Sequence, residues 1–269
     1  MIRRLFMLGL LMVLGAACAS GGQTARRWAT QDELKESRRM IETGHRRQAI
    51  DELAMMIELD PKNSEARFLR GIAYQGLEDF EKAFADYEEL LRRNPRFSKA
   101  HYNIGMICAF KTNDPKRALA AFDRFLTLEP DHPKGVSVAK IMASLDGNRW
   151  ASYDSYDLLA EREETALKIP DPVQRRMILS EWAKKDVDSA LPLYLIGKAY
   201  QAEGKTDKAA LSFRTALALS PTCGPCHQAL GELLALSKKT VAEGRIHLKK
   251  AELFDPGRSG SSSPSPASP

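Results

Sequence analysis

The chain has 269 residues, of which 43% are hydrophobic and 28% charged, with a formal charge of +5. That composition supports one or two domains with a sizeable core and argues against a wholly disordered protein. Lysines and arginines alternate with aspartates and glutamates instead of forming a stripe, and no aromatic residues are spaced among them for base stacking, which argues against nucleic acid as a partner.

At the N-terminus, Arg3 and Arg4 precede an apolar run from Leu5 to Leu14 and the small residues Gly15, Ala16 and Ala17. That is the order of a secretory signal peptide, here residues 1–17, and its removal takes two positive charges with it. Cys18 follows directly. Leu14-Gly15-Ala16-Ala17-Cys18 resembles the lipobox of bacterial lipoproteins, with Gly15 standing where that family usually places leucine. The resemblance implies that Cys18 takes the lipid, palmitate included, and becomes the mature N-terminus of an exported, membrane-anchored protein. The expected place is the outer membrane, facing the periplasm. The alternative is ordinary cleavage after Ala19. Residues 18–29 are expected as a flexible linker. No stretch beyond the N-terminus approaches 18 consecutive apolar residues, so membrane contact is expected only at this end.

From residue 30 the chain repeats itself. Pro61, Pro95 and Pro130 recur at intervals of 34 and 35 residues, Ala49, Ala83 and Ala118 at the same two intervals, and Gly71 and Gly105 are 34 apart. A period of this size with helical spacing inside it predicts paired helices, with small residues where they cross, aromatic residues filling the gaps and proline closing each second helix. Three units are read, at 30–63, 64–97 and 98–132. The extra residue of the third is placed in the turn around Asn113-Asp114-Pro115.

Residues 133–189 break the period but still read as helical, and are expected to join two repeat blocks. Val138 to Leu145 forms one helical pattern and Trp150 to Leu167 another, with Trp150, Tyr153 and Tyr156 as an apolar cluster read as core. Asp171-Pro172 is a capping carboxylate followed by proline, predicting a helix with Val173, Met177, Ile178 and Trp182 on one face.

The period resumes at 190–257. Leu193, Gly197, Tyr200, Gly204, Ala209, Phe213, Ala216 and Pro221 keep the earlier plan, and a weaker unit carries Gly231, Gly244, Leu248, Ala251 and Pro256. These intervals resemble the tetratricopeptide repeat. The resemblance implies an all-α fold, a helix-turn-helix superhelix or solenoid interrupted by a non-repeat helical insert. It also implies a protein-binding role, with the first helix of each unit lining a concave groove. Carried over, the groove residues are Phe68, Ile72 and Gln75, then Tyr102, Met106 and Phe110, then Tyr194, Lys198 and Gln201. Leu34, Arg38, Leu69, Lys99 and Asn103 do not reproduce the clamp by which some members hold chaperone tails. The architecture resembles bacterial envelope assembly factors, among them the pilotin-like lipoproteins of type IV pilus biogenesis.

One motif could carry chemistry, Thr222-Cys223-Gly224-Pro225-Cys226-His227. Three readings stand: a local disulfide or unpaired cysteines, a c-type haem attachment with His227 as axial ligand, or a thiol redox pair. The thioredoxin-like case wants a preceding strand, and a helix is expected there instead. Cys108 is read as a small buried hydrophobe. Otherwise the chain lacks His-Glu-x-x-His, phosphate-loop and Gly-x-Ser-x-Gly motifs, and its five histidines are scattered. No catalytic residues, metal site or small-molecule substrate are expected. Residues 258–269 are rich in serine and proline and read as a disordered tail.

Overall fold

The computed structural model describes residues 22–147, 165, 168–185 and 189–255. The signal segment, Cys18, the 258–269 tail and the cluster Trp150, Tyr153 and Tyr156 lie outside the described residues. Among those described there are twelve helices and no strand. They fall into two compact units, residues 1–100 and 101–269.

The first unit contains α1 (Gly22–Glu42), α2 (Arg46–Leu59), α3 (Ser64–Gly76) and α4 (Phe80–Arg93). Because α1 begins at Gly22, residues 22–29 are helical and not the expected linker. Local chemistry starts and stops these helices where the period requires. The Asn63 side chain accepts from the Ala66 amide at 2.9 Å and that of Asp79 from the Lys82 amide at 3.3 Å, each satisfying a donor that the first turn leaves open. Helix α2 stops at Leu59 and α4 at Arg93, one full residue before the prolines Pro61 and Pro95. The turns between paired helices pass through left-handed backbone at Gly44 (φ 89°) and at Glu78 (φ 60°).

The crossing inside α3–α4 shows why glycine recurs. A Cβ on Gly71 would stand 2.5 Å from a ring carbon of the fully buried Tyr87, so the aromatic ring occupies the space a side chain would need. Met40, Ile41, Leu53, Met56, Ile57 and Leu69 form the core between α1, α2 and α3. Asp86, also buried, is held by a two-pronged bond from Arg70 at 2.7 and 2.8 Å.

The second unit starts within α5 (Ser98–Phe110) and continues through α6 (Pro115–Leu128), α7 (Gly135–Leu145), α8 (Pro172–Lys185), α9 (Leu191–Ala202), α10 (Thr206–Leu219), α11 (Gly224–Ala235) and α12 (Val241–Phe254). Gly105 faces Phe122, and Gly197 faces Phe213, as Gly71 faces Tyr87. The extra residue does sit in the α5–α6 turn: Asn113 is left-handed (φ 52°) and Asp114 caps α6 through the Arg117 amide at 3.1 Å. Asp171 starts α8 as its sequence predicts, accepting from the amides of Val173 and Gln174. Only part of the predicted apolar face of α8 goes inward: Trp182, partly buried, packs against the core. Leu179 is the residue that enters the core, while Val173, Met177 and Ile178 are at least half exposed.

Helices α9 to α12 keep the paired-helix plan, but α12 also packs on α7, and Lys250 reaches α6. A Cβ added at Gly135 would stand 3.6 Å from Leu253 and 3.8 Å from Leu126, so both side chains border the start of α7. The last helix pair therefore folds back on α6 and α7, whereas the sequence pattern has the insert simply joining one block to the next.

Candidate functional site

The residues expected in a partner groove have different fates. Phe68 is only 5% exposed and packs against Tyr87 and Phe97, and Tyr194 is 4% exposed against Phe213. Both are core residues, a correction to their groove assignment. Each first helix has one side turned to its own partner helix, and aromatic residues there are consumed by packing. Ile72 and Gln75 are half-buried, and the Gln75 side-chain oxygen accepts from the Tyr87 hydroxyl at 3.1 Å. Tyr102 and Met106 are half-buried on α5, Tyr102 with the Lys134 ammonium 4.4 Å from its ring centre, and Phe110 is 59% exposed. Lys198 and Gln201 are half-buried on α9, and the buried Gln201 side-chain oxygen has no hydrogen-bond partner among the described residues.

A surface not expected from the repeat pattern lies beside α8. A groove of about 800 Å³ is lined by Val173, Met177, Ile178, Trp182 and Tyr200, with Arg176, Glu181 and Lys185 among its polar members. The Arg176 guanidinium stacks 4.6 Å from the Tyr200 ring centre while bonding Glu203 at 2.7 Å, so it is held in place as part of the wall. Helix α8 turns Leu179, with Trp182 beside it, to the core, while Val173, Met177 and Ile178 are left at the groove.

Cys223 and Cys226 form a disulfide across the start of α11, and both are fully buried. The Cys223 sulfur also caps the helix, accepting from the Cys226 amide at 3.1 Å. His227 has a definite protonation pattern. Its Nε2 lies 3.1 Å from the Pro221 carbonyl, which can only accept, so Nε2 carries the proton. Its Nδ1, 2.8 Å from Nδ1 of His247, then accepts from that ring. The ring also stacks on Phe254. Both histidines are held below the ordinary range, His247 to about 4, chiefly by burial and then by the Lys250 charge.

These residues do not fit a haem. Both sulfurs are bonded to each other, and neither nitrogen of His227 has a lone pair left for iron. Nor do they fit a thioredoxin-like active site, since the element before them is a helix and the buried sulfurs present no surface to a protein substrate. Among the described residues there is no group of three His, Cys, Asp or Glu able to hold a metal, and no helix long and apolar enough to cross a membrane.

Residues 68–133 and 192–223 each match a family described as tetratricopeptide repeat. These segments are tetratricopeptide repeats. No curated protein matches the chain. Among solved structures, the chain is similar to PilW, a type IV pilus biogenesis factor, at 14% identity over 84% of this chain and 90% of that one, with a TM-score of 0.40. PilF of Pseudomonas aeruginosa is similar at 14% identity over 87% and 95%, TM-score 0.40. A tetratricopeptide repeat protein from Parabacteroides merdae is similar at 18% over 85% and 79%, TM-score 0.40.

The tetratricopeptide repeats account for Gly71, Gly105 and Gly197 and for the aromatic residue opposite each. Helix α8 lies outside both matched segments, so the groove beside it is a feature that the repeat pattern does not carry. The sequence signal for it was the spread of apolar residues on α8, where Leu179 falls beside the face of Val173, Met177, Ile178 and Trp182.

Proposed function

We propose that this chain is an exported scaffold that binds an apolar segment of another protein, without catalysis of its own. Tetratricopeptide repeats are protein-binding modules, and the observation that carries the reading here is the open apolar wall of α8 and Tyr200. Met177 is 67% exposed at its centre. Apolar surface gathered into one groove marks an interaction site more strongly than the same residues scattered singly. The methionine suits a partner helix, because its flexible thioether adapts to different knobs. Phe110, with Tyr102 and Met106, is the second candidate anchor.

Lipid anchoring through Cys18 and placement at the outer membrane are the topological part of this proposal. They rest on the order of charged, apolar and small residues in 1–18. Envelope or pilus assembly is the corresponding pathway-level reading.

The binding part is tested by photo-crosslinking from position 177 in the exported full-length protein, compared with Met177→Asp combined with Ile178→Asp. Both side chains are exposed, so the double variant should fold and lose the crosslinked partner. A crosslinked partner retained at the wild-type level by the folded variant overturns the groove. For the anchor, Cys18→Ser should abolish fatty-acid labelling and release the protein from membranes. Unlabelled wild-type protein beginning at Ser20 would establish ordinary cleavage instead.

A further inference from the structure

Four buried features meet where α7 ends. Asp146 follows the last residue of α7, and its buried carboxylate lies at the helix end whose dipole disfavours a negative charge. Two hydroxyls compensate it: Ser220 Oγ and Thr222 Oγ1 both donate to Asp146 Oδ2, at 2.5 and 2.6 Å. Between these donors, Pro221 gives its carbonyl to His227 Nε2. Cys223, the next residue after Thr222, bonds its amide to Ser220 O at 3.1 Å and its sulfur to Cys226 one turn into α11. The loop 220–223 is thus gripped at one side by α7 and stapled at the other to the start of α11.

The same junction is closed from α12. A Cβ on Gly224 would stand 2.9 Å from the Asp255 side chain, so the loop and the end of α12 touch directly. Leu253 borders Gly135 at the start of α7. Nothing in the local sequence of either partner demands this contact, since Asp146 and Ser220 are 74 residues apart.

We propose that the Cys223–Cys226 disulfide is a redox lock on this junction: oxidised, it holds the Ser220 and Thr222 hydroxyls on Asp146, and reduced, it lets α7 and α12 come apart. In forming the lock, the two thiols lose two protons and two electrons to a disulfide oxidant. The oxidant is cleaved to two thiols as the new S–S bond forms. The reverse exchange with a small dithiol restores both cysteines and leaves the dithiol as a cyclic disulfide. In the reduced state the two sulfurs must move from bonding to contact distance inside a site with no exposed surface. The loop is the part free to yield, because its remaining holds are hydrogen bonds. The Asp146 carboxylate is then left without one or both of its donors, a costly state for a buried charge.

Hydrogen exchange followed by mass spectrometry on the full mature chain tests the lock, oxidised and after dithiothreitol, with the thiol count read by alkylation of a parallel sample. Reduction should speed exchange at least tenfold in 135–147 and in 241–255 and leave 31–97 unchanged. Ser220→Ala combined with Thr222→Val, which keeps the disulfide, should reproduce the increase at 135–147 in the oxidised protein. Unchanged exchange at 135–147 in fully reduced protein overturns the proposal. So does an increase spread evenly over all helices, or exported protein in which both cysteines are found as thiols.

Discussion

The hydrogen bond between His227 and His247 requires both rings to be neutral or at most one to be charged, and their surroundings choose neutrality. Burial is the largest cause, and Lys250, on the same helix as His247, opposes a second positive charge; Glu243 and Asp123 pull His247 the other way more weakly, while Arg214 adds to the repulsion. An unfolded histidine titrates near 6.5, whereas His247 in the fold titrates at about 4. Between those values the unfolded chain takes up a proton that the folded chain refuses, so stability is full above about pH 7 and is lost as the pH falls. His247 alone removes about 2 kcal/mol between pH 7.5 and pH 5, and His227 acts in the same direction. Urea midpoints at the two pH values check this. His247→Gln should narrow the difference, and equal midpoints for the wild-type protein would show that the pair does not control acid stability.

At the scale of helices, α6 and α12 are joined by a buried ammonium. Lys250 is 2% exposed and bonds Asp123 Oδ1 at 2.5 Å, Thr127 Oγ1 at 2.7 Å and the Asp123 carbonyl at 3.3 Å. The Asp123 side chain keeps about a third of its surface in water. Removing one partner therefore has unequal consequences. Asp123→Ala strands a buried positive charge and should cost about 2–3 kcal/mol. Lys250→Met leaves a carboxylate that water can still reach and keeps the apolar stem, and should cost about 1 kcal/mol. Chemical denaturation of the two variants gives the order, and a larger loss for Lys250→Met would contradict the electrostatic account.

The helices themselves were legible because their signals are local. Asn63, Asp79, Asp114 and Asp171 announce helix starts, and the recurring glycine and aromatic residue announce each crossing. The Lys250–Asp123 bond spans 127 residues and has no local signature. Phe68 and Tyr194 were misplaced for a related reason. Period alone marks which residues lie on a first helix, but not which of its two apolar sides is covered by the partner helix. Cys223 and Cys226 were recognisable as a pair, but the occupied nitrogens of His227, which decide against haem, depend on His247 of α12 and on the Pro221 carbonyl.

In a simple solenoid each repeat touches only its neighbours, so the terminal repeat unravels first and the others survive it. The second unit of this protein should behave otherwise. Its last helix is bonded to α6 through Lys250 and borders the start of α7 at Leu253, and the loop leading into α11 is held on the end of α7 by the Ser220 and Thr222 hydroxyls on Asp146. Opening α12 therefore exposes α6 and α7 as well as α11, and the free energy of local opening approaches that of opening the whole unit. Native-state hydrogen exchange in increasing urea separates the two cases. Peptides from α6 and α12 should lose protection with the same slope against denaturant, because one event exposes both. A shallow slope for α12, with α6 opening only at higher urea, would mean that the end frays as in an ordinary repeat array. Truncation after residue 223 gives the complementary measure. By removing α11 and α12 it should strip protection from α6 and α7 even though both remain in the chain, whereas a neighbour-only array would lose protection in α9 and α10 alone.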